Sequence, residues 1–254
     1  RSSLGPSLSL THSIKNLLGR NETFSVKGYG AYYWALQNRQ KGAPRMTDTY
    51  KLGVDATLVF PYLHWVGDNN PNGDTRYKVG YLYENIAGGY GVHKVSGSFS
   101  YFIQSPNSKY ITHVLTPFSL SLVMMKAELA DLVEKGTTYP QLVKLIAGDE
   151  FIPSIGYEFT YNDYSSKRAV NTMLDIELKE ASYIINGIYC MFGYKWDDIA
   201  KPLGNRSFDQ FVKMSTELHN KFNLTDKICI ATRLYGGALL PVGNSVSEPL
   251  SESF

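Results

Sequence analysis

Apolar and polar residues alternate along most of this chain with a period of two, the mark of strands that bury one face. The pattern is clearest over 49–60, where Tyr50, Leu52, Val54, Ala56, Leu58 and Phe60 face one way and Lys51, Asp55 and Thr57 the other. Residues 4–14 set Leu8, Leu10 and His12 against Ser7, Ser9, Thr11 and Ser13. Residues 22–37 place Phe24, Val26, Tyr32, Trp34 and Leu36 on one face. Residues 75–86 oppose Tyr77, Val79, Tyr81 and Tyr83 to Arg76, Lys78 and Glu84, and 92–103 oppose Val95, Phe99 and Tyr101 to Lys94, Ser96, Ser98 and Ser100. With 109–125 these make six strands joined by short turns, and the simplest topology is an antiparallel meander.

The alternation then breaks. Residues 126–148 read as helical, with Gly136 as a break, Pro140 opening a second piece and Gly148 stopping it. Strands resume over 150–162 and 168–180, where Val170, Thr172, Leu174, Ile176 and Leu178 oppose Asn171, Asp175, Glu177 and Lys179. The apolar stretch 181–196 alternates little and fits a buried helix or a membrane-interface segment. Strands 207–222 and 226–240 bring the number to ten, an all-β chain with helical insertions in its loops.

Composition narrows the class. A net charge of +2 implies no strong nucleic-acid field. Nineteen tyrosines and 22 glycines beside few charges suit a secreted β-protein or a membrane barrel with aromatic girdles. No apolar run is long enough for a transmembrane helix; the nearest, 111–125, is short and holds His113 and Pro117. Cys190 and Cys229 make no disulfide framework and read as small buried hydrophobes. Periodicity does not separate a membrane barrel, apolar outside and polar inside, from a soluble β-sandwich. Aromatics gather near strand ends, at Tyr32–Trp34, Phe60–Trp65 and Tyr157–Tyr161, which suits the headgroup level.

Catalytic and metal chemistry find little footing. GDNNPNGD places Asp68, Asn70 and Asn72 like the start of a calcium loop. The twelfth position is Val79 rather than Glu, however, and strands flank the segment, so an Asn/Gly-rich turn accounts for it. His12, His64, His93, His113 and His219 lack metal-ligand spacing and are expected on the lumen or rim of a barrel. No G-x-S-x-G elbow exists, and GGYG at 88–91 lacks the strand–loop–helix setting of a phosphate cradle. The reading is of a protein that is not an enzyme and needs no cofactor.

The final stretch, 226–254, carries the most specific signal. Its strand puts Ile228, Ile230, Thr232 and Leu234 on one face and Cys229, Ala231, Arg233 and Tyr235 on the other. Gly236 and Gly237 are expected to bend it or admit a close neighbour. Arg233, Gly236, Gly237, Pro241, Gly243, Asn244, Ser245, Pro249 and Phe254 resemble the strand leading to the sixth extracellular loop of BamA/TamA-like outer-membrane barrels, the bacterial surface antigen family in its Bacteroidetes type. Val242 stands where the family has Tyr. The ordered set of strands resembles the same family, 150–162 and 113–125 included.

The resemblance implies an up-and-down transmembrane barrel, with residues 1–254 forming one incomplete barrel domain, strands two to eleven of sixteen. The first strand, the last strands, the periplasmic POTRA domains and the family's Gly-Gly…Arg-Gly motif would lie outside this chain. It implies a bacterial outer-membrane location and insertion or export of client proteins. The partners would be lipid, the clients and accessory assembly subunits, without nucleic acid. It also implies that Arg233 faces the lumen and helps hold the sixth loop; the alternative is one charge among many on a wet inner wall. A passive porin or receptor barrel, and a secreted glycan-binding β-sandwich, stand as the other functional readings. The loop segments 126–148 and 181–196 could cap the mouth or bind a partner.

Overall fold

The computed structural model describes residues 3–35, 49–66, 72–86, 90–127, 150–164, 169–196, 210–225 and 228–242. Its strands are β1 (Ser3–Leu4), β2 (Ser7–Lys15), β3 (Thr23–Ala35), β4 (Thr49–Phe60), β5 (Gly73–Ile86), β6 (Tyr90–Gln104), β7 (Ile111–Ala127), β8 (Glu150–Asn162), β9 (Val170–Ala181), β10 (Phe211–Thr225) and β11 (Ile228–Pro241). All lie in one antiparallel sheet; β1 and β2 both pair with β3, and from β3 on each strand is hydrogen-bonded to its neighbour in sequence. The meander expected from the alternation is therefore what forms.

β1 and β2 are two halves of one edge strand, because Leu4 opposes Trp34 and Ser7 opposes Ala31 in a single register. The ladder lapses at Gly5–Pro6, where proline has no N–H to donate. A Cβ on Gly5 would stand 1.7 Å from the Tyr32 carbonyl oxygen, so only glycine fits there. The alternation over 4–14 runs past this break; its sign in the sequence is the Gly5–Pro6 pair itself. β1–β2 and β11 form the two edges of the sheet and do not pair with each other, so the sheet is open among the described residues.

β7 carries a bulge. Phe99 opposes Phe118 but Tyr101 opposes Leu115, and on the other side Thr116 opposes Gly156 while Ser119 opposes Ser154. One extra β7 residue is absorbed at Pro117, again where a ladder donor is missing. The bulge reverses the parity of the strand, so Leu115 and Phe118 share a face despite an odd spacing. This is why a simple alternation does not run through 111–125.

Registers assign every strand residue to a face. One face runs from Leu10 and Val26 through Val54, Val79, Leu122 and Leu178 to Leu218 and Leu234. The other runs from Ser9 and Lys27 through Asp55, Lys78, Ser98, Glu158 and Glu177 to Glu217 and Arg233. The apolar face has little cover: Leu8 is 80% exposed, Val79 61% and Leu234 69%. The packed apolar cluster lies on the polar side instead, where Ile152, Ala181, Phe211 and Leu239 form a buried patch at one rim.

The connections differ at the two ends. At one end lie 16–22, 61–72, 105–110, 163–169 and the tight 226–227. At the other lie 36–48, 87–89, 128–149 and 182–210. Helix α1 (Tyr183–Met191) belongs to the last of these. Ser182, at φ 65°, turns the chain out of β9 into it, and Asn186 is buried, its side-chain amide donating to the Trp196 carbonyl and to Gln210 Oε1 at 2.9 Å each. Of the two readings of 181–196, a short helix is correct, but Ile184, Met191 and Phe192 are exposed rather than buried. The helical expectation for 126–148 lies almost wholly outside the described residues; β7 takes Lys126 and Ala127.

Candidate functional site

The clefts of the sheet open on its polar face. A cleft of about 740 Å³ is lined by Thr57 of β4, Arg76 and Lys78 of β5, Ser98, Ser100 and Phe102 of β6, Thr112 and Val114 of β7, and Glu158 and Thr160 of β8. Side chains from five successive strands thus line one hollow. A second hollow of about 350 Å³ shares Glu158 and Thr160 and continues past Asp175 and Glu177 to Ser215, Glu217 and Tyr235. Together they form a polar trench along the inner wall from β4 to β11.

Cross-strand polar contacts knit this wall. Lys51 meets Glu84 at 2.8 Å, and Lys78 lies 3.9 Å from Asp55. Arg76 donates through two nitrogens to Asp74 at 2.6 and 2.9 Å and stacks over the Phe102 ring at 4.1 Å. The Thr160 hydroxyl donates to Asp175 at 2.8 Å, and the Ser215 hydroxyl to Glu177 at 3.1 Å. Gly80 leaves the room these groups use: a Cβ there would stand 2.5 Å from an Asp55 carboxylate oxygen.

Arg233 lies on this polar face. It sits opposite His219 in the β10–β11 ladder and donates from Nε to Glu217. His219 Nε2 is 2.6 Å from the same Glu217 oxygen. The β10–β11 register sets this pairing. His219 is among the histidines the sequence marks; Glu217 is not marked by alternation alone.

The other sequence-derived residues scatter. Gly236 and Gly237 oppose Thr216 and Ser215 in an unbroken ladder, without a bulge, and nothing lies within 4 Å of a Cβ built on Gly236. Pro241 ends β11 opposite Phe211. Gly243, Asn244, Ser245, Pro249 and Phe254 lie outside the described residues, as do Asp68 and Asn70. Asn72 sits just before β5, and the described residues hold no group of three metal-ligating side chains.

Two expectations need correction. Three histidines are on the apolar face rather than the lumen, although His93 and His113 lie near strand ends, at the rim that the expectation also allows. His93 opposes Met124, His113 opposes Phe159 and His12 opposes Val26. Tyrosine hydroxyls satisfy two of them, Tyr81 on His93 Nδ1 and Tyr157 on His113 Nδ1, each at 2.8 Å. Such pairing satisfies one ring nitrogen of each imidazole on an apolar surface. Cys229 is exposed and Cys190 half-buried, both as free thiols, so neither is the buried hydrophobe expected.

Aromatic residues collect at both ends of the apolar face. Tyr32, Trp34, Tyr50 and Tyr83 lie toward the long connections. Phe60, Tyr77 and Phe99 lie toward the short ones, with the 61–66 turn folded onto them. In that turn the His64 N–H donates to Thr75 Oγ1 at 2.9 Å, and the Tyr101 hydroxyl donates to the His64 carbonyl at 2.7 Å. Leu63 is buried beneath it. A comparison with protein families gives no match, and one with curated proteins gives no relative. No described helix is long and apolar enough to cross a membrane, which says nothing of a barrel that crosses with strands.

Proposed function

We propose that this chain forms most of the wall of an outer-membrane β-barrel of the assembly or translocation type, similar to BamA/TamA, and that it works without catalytic chemistry. The observation that carries the barrel reading is the contrast of the faces: the polar face carries the clefts and the apolar face is exposed, which we read as a concave inner wall and a convex outer one. In water this arrangement would leave a large apolar surface uncovered. In a bilayer it is the expected one.

The aromatic spacing agrees. From Tyr50 to Phe60 β4 rises about 34 Å. At the usual barrel tilt that is ~25 Å along the membrane normal, the height of the apolar band of such barrels. The short connections then face the periplasm and the long ones the outside. Open edges do not persist in lipid, so β1–β2 and β11 are paired by further strands of the barrel.

The assembly role rests on the resemblance around Arg233 to Pro241 and on Arg233 lying on the inner wall. In that role a client strand pairs with an exposed barrel edge in β-augmentation. Depleting the protein in its native host and following the levels of other outer-membrane barrels tests this. Their collective loss supports assembly; unchanged levels refute it. A passive channel is the second reading, favoured by the continuous polar trench. Planar-bilayer recording separates the two, since a pore conducts steadily without a client.

A further inference from the structure

We infer that the larger cleft of the polar face binds a short peptide by its two charged ends, the carboxylate at Arg76 and Lys109 and the ammonium at Glu158. The inference goes beyond the assembly reading and does not rest on it, because the cleft is part of the wall whether the barrel handles clients or conducts.

The cleft has opposite charges on its two sides. Among the described residues that line it, Arg76, Lys78 and Lys109 are cationic and Glu158 is the one carboxylate. β7 runs between the charged strands and carries no lysine, arginine or carboxylate from Ile111 to Met124. The gap to be bridged is short. The Arg76 guanidinium lies over the Phe102 ring, and Phe102, Val114 and Glu158 occupy one row of the ladder across β6, β7 and β8. Phe102 and Glu158 are thus two strand spacings apart, about 10 Å. An extended tripeptide also covers about 10 Å.

Both ends have charge to offer. Glu158 is exposed and, among the described residues, has no ion-pair or hydrogen-bond partner. Its neighbours Asp175 and Glu177 accept the Thr160 and Ser215 hydroxyls instead. Glu158 also stands directly opposite Glu177 in the β8–β9 ladder. Like charges so placed destabilise a sheet, and an ammonium on Glu158 offsets that repulsion. On the other side Asp74 binds Nε and Nη2 of Arg76, which fixes the guanidinium and leaves Nη1 for a ligand carboxylate. Lys109 is exposed, its ammonium 5.2 Å from the centre of the Tyr110 ring, and no described carboxylate pairs with it. Between the two ends the Thr112 hydroxyl can bond peptide amides, and Val114 offers an apolar floor. A solute with one charge suits one side and is repelled by the other. With about 740 Å³ there is room for varied side chains, so the two charged ends set the specificity.

Isothermal titration of the full-length protein in detergent micelles tests this with trialanine, N-acetyl-trialanine and trialanine amide. Trialanine should bind, and blocking either end should weaken it about tenfold, the loss of one charge-assisted hydrogen bond. E158Q should weaken trialanine by a similar factor and become indifferent to acetylation. R76Q/K109Q should do the same and become indifferent to amidation. Circular dichroism checks that each variant keeps its sheet. The blocked peptides read the same two charges in the wild type, so the test stands even where a variant does not fold. Equal affinity for the three peptides overturns the inference, and so does the absence of any trialanine binding. Losses in the variants that do not depend on which end of the peptide is blocked overturn it as well.

Discussion

Arg233 and Glu217 are joined diagonally across the β10–β11 ladder, two residues off the direct Arg233–His219 pair, and Glu217 also holds His219. One carboxylate thus binds both positive-capable groups of the wall at this point. The Arg233 side chain is 65% exposed, so water screens the pair. Ion pairs this open to water contribute little to stability. R233A and E217A should therefore shift the urea midpoint of the micelle-embedded protein little. If R233A abolishes client assembly at near-normal stability, the arginine serves function; if assembly and stability are both unchanged, it is one charge among many.

The two faces should respond oppositely to charge. Val54 lies near the middle of the convex band, and Val54→Lys should destabilise the membrane-embedded protein by about 2–4 kcal/mol, the depth-dependent cost of lysine on a lipid face. Thr57→Lys on the cleft wall should cost far less. Folding titrations of the two variants in bilayers check the difference. Equal effects would remove the distinction between the faces.

The 16–22 turn should be sensitive to acid. Backbone N–H donation from Leu18, with that of Arg20 and the Arg20 charge behind it, holds the Glu22 carboxyl below its ordinary 4.5 in spite of burial. The folded state thus binds this proton more weakly than the unfolded chain. Its contribution is full above about 4.5 and is lost as pH falls through the lower folded value. Thermal midpoints through that window should fall in the wild type. E22Q should be less stable at neutral pH and lose this component of the slope.

Gly73 abuts Leu63, the residue under the 61–66 turn. A Cβ on Gly73 would stand 2.8 Å from two Leu63 side-chain carbons. Gly73→Ala should cost about 1–3 kcal/mol by overpacking. The smaller Leu63→Val, made in the same background, should recover part of it. Chemical denaturation of the single and double variants reads the coupling.

Much of the sheet is legible in the residues, because alternation is set by a local constraint, the two-residue period of a strand. The bounds 49–60 for β4 and 150–162 for β8 follow directly from it. What escapes is non-local or comes from missing donors. Pro6 and Pro117 interrupt ladders without disturbing hydrophobicity, so the split of the first strand and the parity change in β7 are invisible to the pattern. Alternation already puts His93 on the face of Val95; what only the register supplies is the tyrosine partners of His93 and His113 on neighbouring strands. Glu217 becomes notable only once the hairpin puts Arg233 beside it. Gly236 and Gly237 sit in a ladder without a bulge, since glycine permits a bend without requiring one.

Central to the account is that the convex face meets lipid and the concave face meets water. Single cysteines at Leu52, Val54 and Val79 on one face, and at Thr57, Lys78 and Ser98 on the other, can carry spin labels in vesicles, with Cys190 and Cys229 replaced by Ser. Collision with oxygen, which partitions into lipid, and with a water-soluble nickel chelate reads each environment. We expect oxygen to dominate at the first three and nickel at the second three. Nickel access at both sets, in a chain that stays soluble without detergent, would contradict the barrel.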